Sequence, residues 1–181
     1  KKMRVLMMLF AFAAFGLANP APLGFEIDKA TYDEVVAKYR PTSSFQTDTG
    51  GIRIVVGVNK IELDDLVGYN AFFDFDEQYK LVSISLRFEK KKFKELYSSL
   101  SKKYKLIKKT ASKSGAMLVE FEDGNCIIRL ETLKHMIAGA YITGLDYISK
   151  DEIKRQENYS KEQKQREKER KQRLNENLNT L

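Results

Sequence analysis

Few residues of this chain have the type and spacing that catalysis requires. Asp48-Thr49-Gly50 matches the tripeptide of the aspartic proteases, in which two carboxylates share one proton. Those enzymes carry the aspartate directly after an apolar strand, whereas a mostly polar segment, residues 42–47, precedes it here. We therefore expect a turn at this position and no protease site.

The single histidine and the single cysteine are the other residues with reactive side chains. A metal site of ordinary type or a serine triad would depend on His135, and no partner residues stand at a recognisable spacing from it. Neither a Gly-x-Ser-x-Gly elbow nor a phosphate-binding glycine loop occurs in the sequence. We expect His135 to be an ordinary surface or strand-end residue, and Cys126, in phase with Ile128, to be a buried inert thiol. The sequence thus favours a protein without catalytic activity, metal or cofactor.

The formal net charge of +7 overstates the charge of the main part of the chain. Three of the 32 basic residues lie within the first four positions, so basic residues exceed the 25 acidic ones by only four from Asn19 onward. That excess is too small to indicate a nucleic-acid partner. The densest positive segment surrounds the second predicted helix and contains Lys90, Lys91, Lys92, Lys94, Lys102, Lys103, Lys105, Lys108 and Lys109.

Two interpretations of this lysine-rich segment stand side by side. Lysines commonly form the solvated cover of a helix whose other face is buried. In the alternative, the protein is a peripheral envelope factor that contacts anionic lipid through Lys91, Lys92 and Lys94. Each lysine near an anionic surface contributes ~1 kcal/mol to such binding.

The predicted strands form two sets, and one amphipathic helix precedes each set. Thr31 and Glu34 form a capping box at the start of the first helix, because each side chain satisfies the other residue's free backbone N–H, and Pro41 marks its end. Both helices have apolar residues at i, i+3, i+4 and i+7, which places them on one side. These residues are Tyr32, Val35, Val36 and Tyr39 in the first helix and Phe93, Leu96, Tyr97 and Leu100 in the second.

Alternating apolar and polar residues predict antiparallel strands after each helix. The first hairpin places Phe73 opposite Ile84 and Phe75 opposite Val82. A second hairpin turns at Asp123-Gly124 and places Phe121 opposite Cys126, and a last strand is expected within residues 136–148. The predicted fold class is therefore α+β, with a mainly antiparallel sheet, two layers and helices packed on one face.

Alternation leaves a second set of residues on the side of the sheet opposite the apolar one. We call this set the polar face; it comprises Arg53, Val55, Ser83, Ser85, Arg87, Glu120, Ile127, Arg129 and Glu131. If helices cover only the apolar side, the polar face is exposed to solvent. It is then either a binding surface or an ordinary solvated surface. The candidate contact residues for a protein partner are Arg53, Arg87, Arg129 and Glu131.

The order of helix and hairpin recurs, which predicts an internal duplication of residues 25–89 and 90–148 within an α+β domain at 19–148. Ile27, Thr31, Glu34-Val35, Pro41 and the Phe-Asp hairpin followed by Leu81-Val82 carry a resemblance. The chain resembles the small exported α+β modules related to the β-lactamase inhibitory protein and to the small lipoprotein of the outer-membrane β-barrel assembly machinery. The resemblance implies a two-layer fold that binds or inhibits other proteins and has no catalytic site.

The two ends of the chain differ from its middle. A basic start, the apolar run 5–15 and the small residues of Gly16-Leu17-Ala18 are typical of a signal peptide, residues 1–18, that is removed after Ala18. No cysteine for lipid attachment follows it, so we expect a periplasmic or secreted protein of a bacterial envelope without a lipid anchor. Residues 149–181 carry Glu–Lys and Glu–Arg pairs at i, i+4 and few apolar residues, which predicts a charged tail, helical or disordered.

Overall fold

An eight-stranded antiparallel sheet organises the chain. The computed structural model describes residues 19–57, 61, 70–113, 115–134 and 141–178. In chain order the elements are α1 (Tyr32–Lys38), β1 (Ser43–Gln46), β2 (Ile52–Gly57), β3 (Asn70–Phe75), β4 (Leu81–Glu89), α2 (Phe93–Lys103), β5 (Lys105–Ala111), β6 (Met117–Asp123), β7 (Cys126–Lys134), β8 (Tyr141–Ser149) and α3 (Lys150–Leu178).

Several sequence predictions fall on residues outside this description. They are the signal peptide at 1–18, the character of His135, the beginning of the last predicted strand at 136–140 and the end of the tail at 179–181. These remain predictions. The remainder of the last predicted strand is found as β8.

The strand order is β1-β2-β3-β4-β8-β7-β6-β5, and every pair of neighbours is antiparallel. The sheet thus consists of two four-stranded meanders that meet where β4 pairs with β8. Each meander follows one short helix, α1 in the first half and α2 in the second. This is the element order on which the predicted duplication depends, and the duplication itself stays a prediction.

Both short helices pack on the same side of the sheet, which we call the core face. Val35 of α1 and Phe93 and Leu100 of α2 are buried against it. The strands contribute alternate residues to the core face: Ile54, Val56, Phe73, Phe75, Leu81, Ile84, Leu86, Phe88, Val119, Phe121, Cys126, Ile128, Leu130, Leu145 and Tyr147. The predicted α+β class with a mainly antiparallel sheet is confirmed.

The third helix lies differently from the other two. Its first turns meet the polar side of the sheet, where Glu152 borders a cavity with Arg53 and Ile153 borders another with Arg129. From Ser160 to residue 175 its side chains are exposed. The 29 residues of α3 span about 43 Å, so the predicted tail forms a helix over its described length rather than a disordered segment.

The first hairpin has a different register from the predicted one. Phe73 pairs with Ile84 as expected, but Phe75 pairs with Leu81 and not with Val82. A β-bulge after Asp74 makes Val82 an extra residue, and both Leu81 and Val82 are buried. Strict alternation allows no bulge, which is why the predicted Phe75–Val82 pair is wrong.

The second hairpin turns one residue later than predicted. Asp123 pairs with Cys126 and Phe121 with Ile128, so the turn residues are Gly124 and Asn125 rather than Asp123 and Gly124. Gly124 takes a φ of 54°, the left-handed region that favours glycine. The predicted pairing of Phe121 with Cys126 is wrong by two positions, which preserves the core-facing side of both strands.

Asn125 explains why the turn lies there, because its polar groups bind three distant segments. Its backbone N–H donates to Oδ1 of Asn19 over 2.7 Å. Its side-chain Nδ2 donates to Oδ2 of Asp28 over 2.9 Å and to Oδ2 of Asp151 over 3.0 Å. One turn residue therefore connects the start of the described chain, the β6–β7 hairpin and the first turn of α3.

Gly51 is a position where an added methyl group would clash with the backbone. A Cβ there would lie 2.0 Å from the backbone carbonyl oxygen of Phe75, an atom that cannot turn aside. We expect Gly51→Ala to lower the free energy of unfolding by about 2 kcal/mol or more, measured by urea denaturation. At Gly115 a Cβ meets open space, but φ is 81°, so Gly115→Ala is the control, with a cost of about 1 kcal/mol. Equal effects of the two substitutions would contradict the close approach at Gly51.

Candidate functional site

The structure places all four predicted contact residues on the polar face. Arg53 lies on β2, Arg87 on β4 and both Arg129 and Glu131 on β7. Arg53 is opposite Asp74 in the sheet, and Asp74 is opposite Ser83, while Arg129 is opposite Asp146. The predicted residues therefore belong to one surface that crosses both halves of the sheet.

Each of the three arginines binds a carboxylate from the neighbouring strand. Arg53 donates through Nε and Nη2 to the two oxygens of Asp74, with 2.7 Å between Nη2 and Oδ2. Arg87 Nη1 donates to Oδ1 of Asp146 over 2.7 Å. Arg129 donates to Oε1 of Glu120 from Nε over 3.0 Å and from Nη2 over 2.9 Å. The polar face is thus a set of ordered ion pairs and not a row of separate charges.

Two of these carboxylates, Asp74 and Asp146, are absent from the polar face predicted from the sequence. Both are buried to about nine-tenths, with side-chain exposures of 9% each. Asp74 alternates with two core phenylalanines, and this phase already assigns it to the same side as Arg53. The missing signal was the register between β2 and β3, which puts Arg53 and Asp74 directly opposite each other.

Gly144 makes room for long side chains on the polar face. It pairs with Arg87 on one side and with Glu131 on the other, at the centre of the sheet. A Cβ at this position would lie 2.7 Å from Cδ1 of Leu133, 3.3 Å from Nη1 of Arg87 and 3.4 Å from Cγ of Glu131. The glycine therefore lets these side chains lie across β8.

Charges on the polar face change the proton affinity of its members. The hydrogen bond to Asp74 raises the pKa of Arg53 above its ordinary value, against the opposing effect of burial. Burial raises the pKa of the half-buried Glu131 carboxyl, and the nearby carboxylate of Asp146 raises it further. Arg129 and Arg87 oppose this shift only in part. The ionised form of Glu131 is therefore less favourable in the folded protein than in the unfolded chain.

The lysine-rich segment is less available than its sequence indicates. Lys91 forms an ion pair with Glu89, and Lys92 pairs with Glu95 over 3.0 Å. The side chain of Lys92 is only 17% exposed, whereas Lys94 is exposed on α2. Lys90 and Lys109 lie over the rings of Tyr141 and Tyr97. Acidic and aromatic neighbours thus engage much of the positive charge that the lipid-binding alternative requires.

Two groups of residues that were considered for catalysis, Asp48-Thr49-Gly50 and Cys126, lie in the described part of the chain and have ordinary structural roles. Asp48-Thr49-Gly50 forms the turn between β1 and β2, closed by a hydrogen bond from Gly50 N–H to the Thr47 carbonyl, so the predicted turn is confirmed. Cys126 is fully buried, and burial raises the pKa of its thiol to about 12.

In the described part of the chain, no three His, Cys, Asp or Glu residues are grouped closely enough to bind a metal ion. No helix among those residues is apolar and long enough to cross a membrane.

The unfavourable position of Glu131 gives a pH-dependent prediction. A carboxyl whose pKa is raised by folding destabilises the folded state wherever it is ionised, and the penalty disappears once both states are protonated. We expect Glu131→Gln to raise the free energy of unfolding at pH 7, and with it the melting temperature. The gain in free energy should be less than about 1 kcal/mol, because the carboxyl group is half exposed. This gain in stability should vanish as the pH falls below 4.5, the ordinary pKa of a glutamate side chain.

Glu122 supplies the control for this measurement. Lys150 binds the Glu122 carboxylate and lowers its pKa, so Glu122→Gln should show no gain in melting temperature at pH 7. Thermal denaturation of both variants between pH 3.5 and 8 would separate the two cases. A gain for Glu131→Gln that is independent of pH would contradict the assignment.

Comparison with known proteins finds no relative of this chain. The chain matches no family model, no curated protein and no solved structure. The chemistry of the polar face, with its three Arg–carboxylate pairs and the carboxylate of Glu131, is therefore the basis on which a function is proposed.

Proposed function

We propose that this is an exported, non-enzymatic protein that binds or inhibits a protein partner in the bacterial envelope through the polar face. One observation carries the proposal: three ordered arginines and the half-buried carboxylate of Glu131 lie on a sheet surface that α1 and α2 do not cover. The protein modules that the sequence resembles are binding proteins as well, which supports the same interpretation. A protein partner is favoured over a small ligand by the size and shape of this surface.

The polar face has the dimensions of a protein interface. Arg53 and Arg129 lie on strands separated by four strand spacings, β2 to β7, which corresponds to about 19 Å across the sheet. A specific protein interface buries about 800 Å² on each partner, an area of comparable width. The arginines are held by strands and by carboxylates, so little side-chain entropy is lost when a partner binds them.

Arginine is among the residues that dominate binding energy in such interfaces. The side chains of Arg53, Arg87 and Arg129 are 37%, 21% and 33% exposed, so each is partly desolvated before a partner arrives. A partner that supplies carboxylates or backbone carbonyls would use the remaining N–H donors of these guanidinium groups. A cation from the partner would in addition relieve the unfavourable charge of Glu131.

Export and cleavage after Ala18 are part of the proposal. Asn19, the residue after the predicted cleavage site, is already fixed in the fold. Its Nδ2 donates to the Ile27 carbonyl and to Oδ2 of Asp28, each over 3.0 Å. Its backbone N donates to Oε1 of Glu26 over 3.1 Å, so an α-ammonium group formed there by cleavage would have a carboxylate partner.

A site-specific photo-crosslinker tests the proposed interface. Placed at Ser85, at the centre of the polar face, it should capture one specific envelope protein in the producing cells. Placed at Ser98, on the exposed side of α2, it should not. Arg129→Glu should lower the yield from Ser85 by about tenfold, because the reversed charge repels the carboxylates of the partner.

Arg166→Glu on the exposed part of α3 is the matched control and should leave that yield unchanged. Capture of the same protein from both crosslinker positions would sink the proposal. So would a yield from Ser85 that Arg129→Glu does not change.

A further inference from the structure

The exposed part of α3 carries its lysines in a row along one side. Lys161, Lys164, Lys168 and Lys171 stand at i, i+3, i+7 and i+10, so they follow one side of the helix for about 15 Å. All four side chains are exposed, and we call them the lysine row. The helix therefore separates part of its positive charge from its negative charge.

Neighbours in the lysine row have the same charge. Successive lysines are three or four residues apart, so each faces another cation across one helical turn, which destabilises a helix. Lys171 also binds Glu167 over 2.7 Å. Lys161, Lys164 and Lys168 form no ion pair with the described residues. An anion from outside the chain would remove the repulsion among them.

The carboxylates of the same stretch of α3 have other partners. Each glutamate within residues 161–171 is bound on the helix itself, in the pairs Glu162–Arg166, Glu167–Lys171 and Glu169–Gln165. Three of the four lysines thus keep their full charge.

A groove of about 450 Å³ lies at the start of the lysine row, between α3 and the strands β7 and β8. Lys161 and Lys164 border it from the helix, and Arg129 borders it from the polar face. Ile148 of β8 and Ile153 of α3, both half-buried, give it apolar walls. The groove therefore joins the lysine row to the polar face and adds a place for an apolar side chain.

The balance of charge in this groove is positive. Glu157 is the carboxylate that borders it, against the cations of Arg129, Lys161 and Lys164. The guanidinium of Arg129 is held by Glu120 but remains 33% exposed. A ligand for this place should bring negative charge together with apolar surface.

We propose that the lysine row and the groove bind an acidic amphipathic helix of the partner protein. The inference rests on the proposed function, and it names the chemistry that the partner presents at this end of the polar face. Carboxylates on one side of the partner's helix face the lysines. An apolar side chain beside them enters the groove between Ile148 and Ile153.

The spacing of the lysines favours a helix over an extended segment. Neighbours in the row are on average ~5 Å apart along the axis, the spacing that residues on one side of a second helix repeat. Residues on one side of a strand are ~6.7 Å apart, so an extended acidic segment would fall out of step with the row.

Two other occupants fit this surface less well. A second copy of the chain would place its own lysine row against this one, cation against cation. A membrane is too flat to enter the groove, and the lysine row contains none of the apolar residues with which a helix inserts into a bilayer. The charge and the shape together select an acidic element of a protein.

Titration of the full chain with a designed helix tests the proposal. The peptide has ~20 residues, enough to form a helix in water, with glutamates at i, i+3, i+7 and i+10 and leucines beside them. Fluorescence anisotropy at physiological salt should show saturable binding at one site. Replacement of these glutamates by glutamine should weaken binding by about tenfold, because the charge complementarity is lost.

Charge reversals on α3 show whether the lysine row is the site. Lys161→Glu combined with Lys164→Glu should weaken peptide binding by about tenfold. The matched control combines Arg166→Glu with Arg170→Glu, which changes the net charge equally on the opposite side of the helix and should leave the affinity within about twofold. All of these side chains are exposed, so each variant should keep its fold, checked by circular dichroism.

Three results of the titration would overturn the proposal. The first is the absence of saturable binding, and the second is equal affinity for the glutamate and glutamine peptides. The third is equal weakening by the lysine and arginine reversals, which would reveal only general attraction between opposite charges.

Photo-crosslinking in the producing cells separates this inference from the proposed function. A crosslinker at Lys164 should capture the same protein as the one at Ser85, within an acidic helical segment, whereas one at Arg166 should not. Capture from Ser85 without capture from Lys164 would overturn the acidic-helix inference and leave the proposed function intact. Capture from neither position would overturn the proposed function, and with it the claim that the partner presents this helix.

Flotation with vesicles that contain phosphatidylglycerol covers the alternative of a membrane. The protein should not float with them. Flotation that the lysine reversals abolish and the arginine reversals leave intact would assign the lysine row to a membrane surface and overturn the proposal.

Discussion

The pairing of β4 with β8 is the interaction on which the rest of the structure depends. Seven residue pairs, from Ser83–Ile148 to Glu89–Ile142, join two meanders that would otherwise be separate four-stranded units. Because the pairing is antiparallel and in phase, the apolar sides of both halves form one core and the polar sides form one surface. The Arg87–Asp146 ion pair crosses this junction, and Gly144 leaves space for it. Neither half alone carries all three Arg–carboxylate pairs.

The polar face combines stabilising and destabilising charges. Asp74 and Asp146 lose most of their hydration, and Arg53 and Arg87 donate hydrogen bonds to them in exchange. Glu131 forms no such ion pair with the described residues, and its burial, together with its proximity to Asp146, makes its ionised form unfavourable. Groups that are costly in the folded protein are a recognised property of functional surfaces, where stability is given up for binding. The long helix α3 closes one end of this face and forms the groove there with β7 and β8, so the surface and the groove depend on the same junction.

Much of the central fold can be predicted from residue types, because buried strands and helices repeat with their own periods. The capping box of Thr31 and Glu34, the core-facing residues of β2 to β4 and the polar face all follow from alternation. The edge strands β1 and β5 were not predicted. Every residue in them is exposed, so neither strand needs the alternation of apolar and polar residues by which a strand is recognised. The register at Val82 was predicted wrongly because strict alternation allows no bulge, and the turn at Asn125 because its position depends on contacts with distant segments. Arg53, Arg87, Arg129 and Glu120 were identified, but Asp74, Asp146 and the groove require the register and the position of α3.

Arginine-directed covalent labelling, read by mass spectrometry with and without the captured partner, tests the central claim most directly. If the polar face is the interface, Arg53, Arg87 and Arg129 lose labelling together in the complex. Arg166 and Arg173, exposed on α3 beyond the sheet, keep theirs. Unchanged labelling of the three sheet arginines in the complex would contradict a binding role for this face.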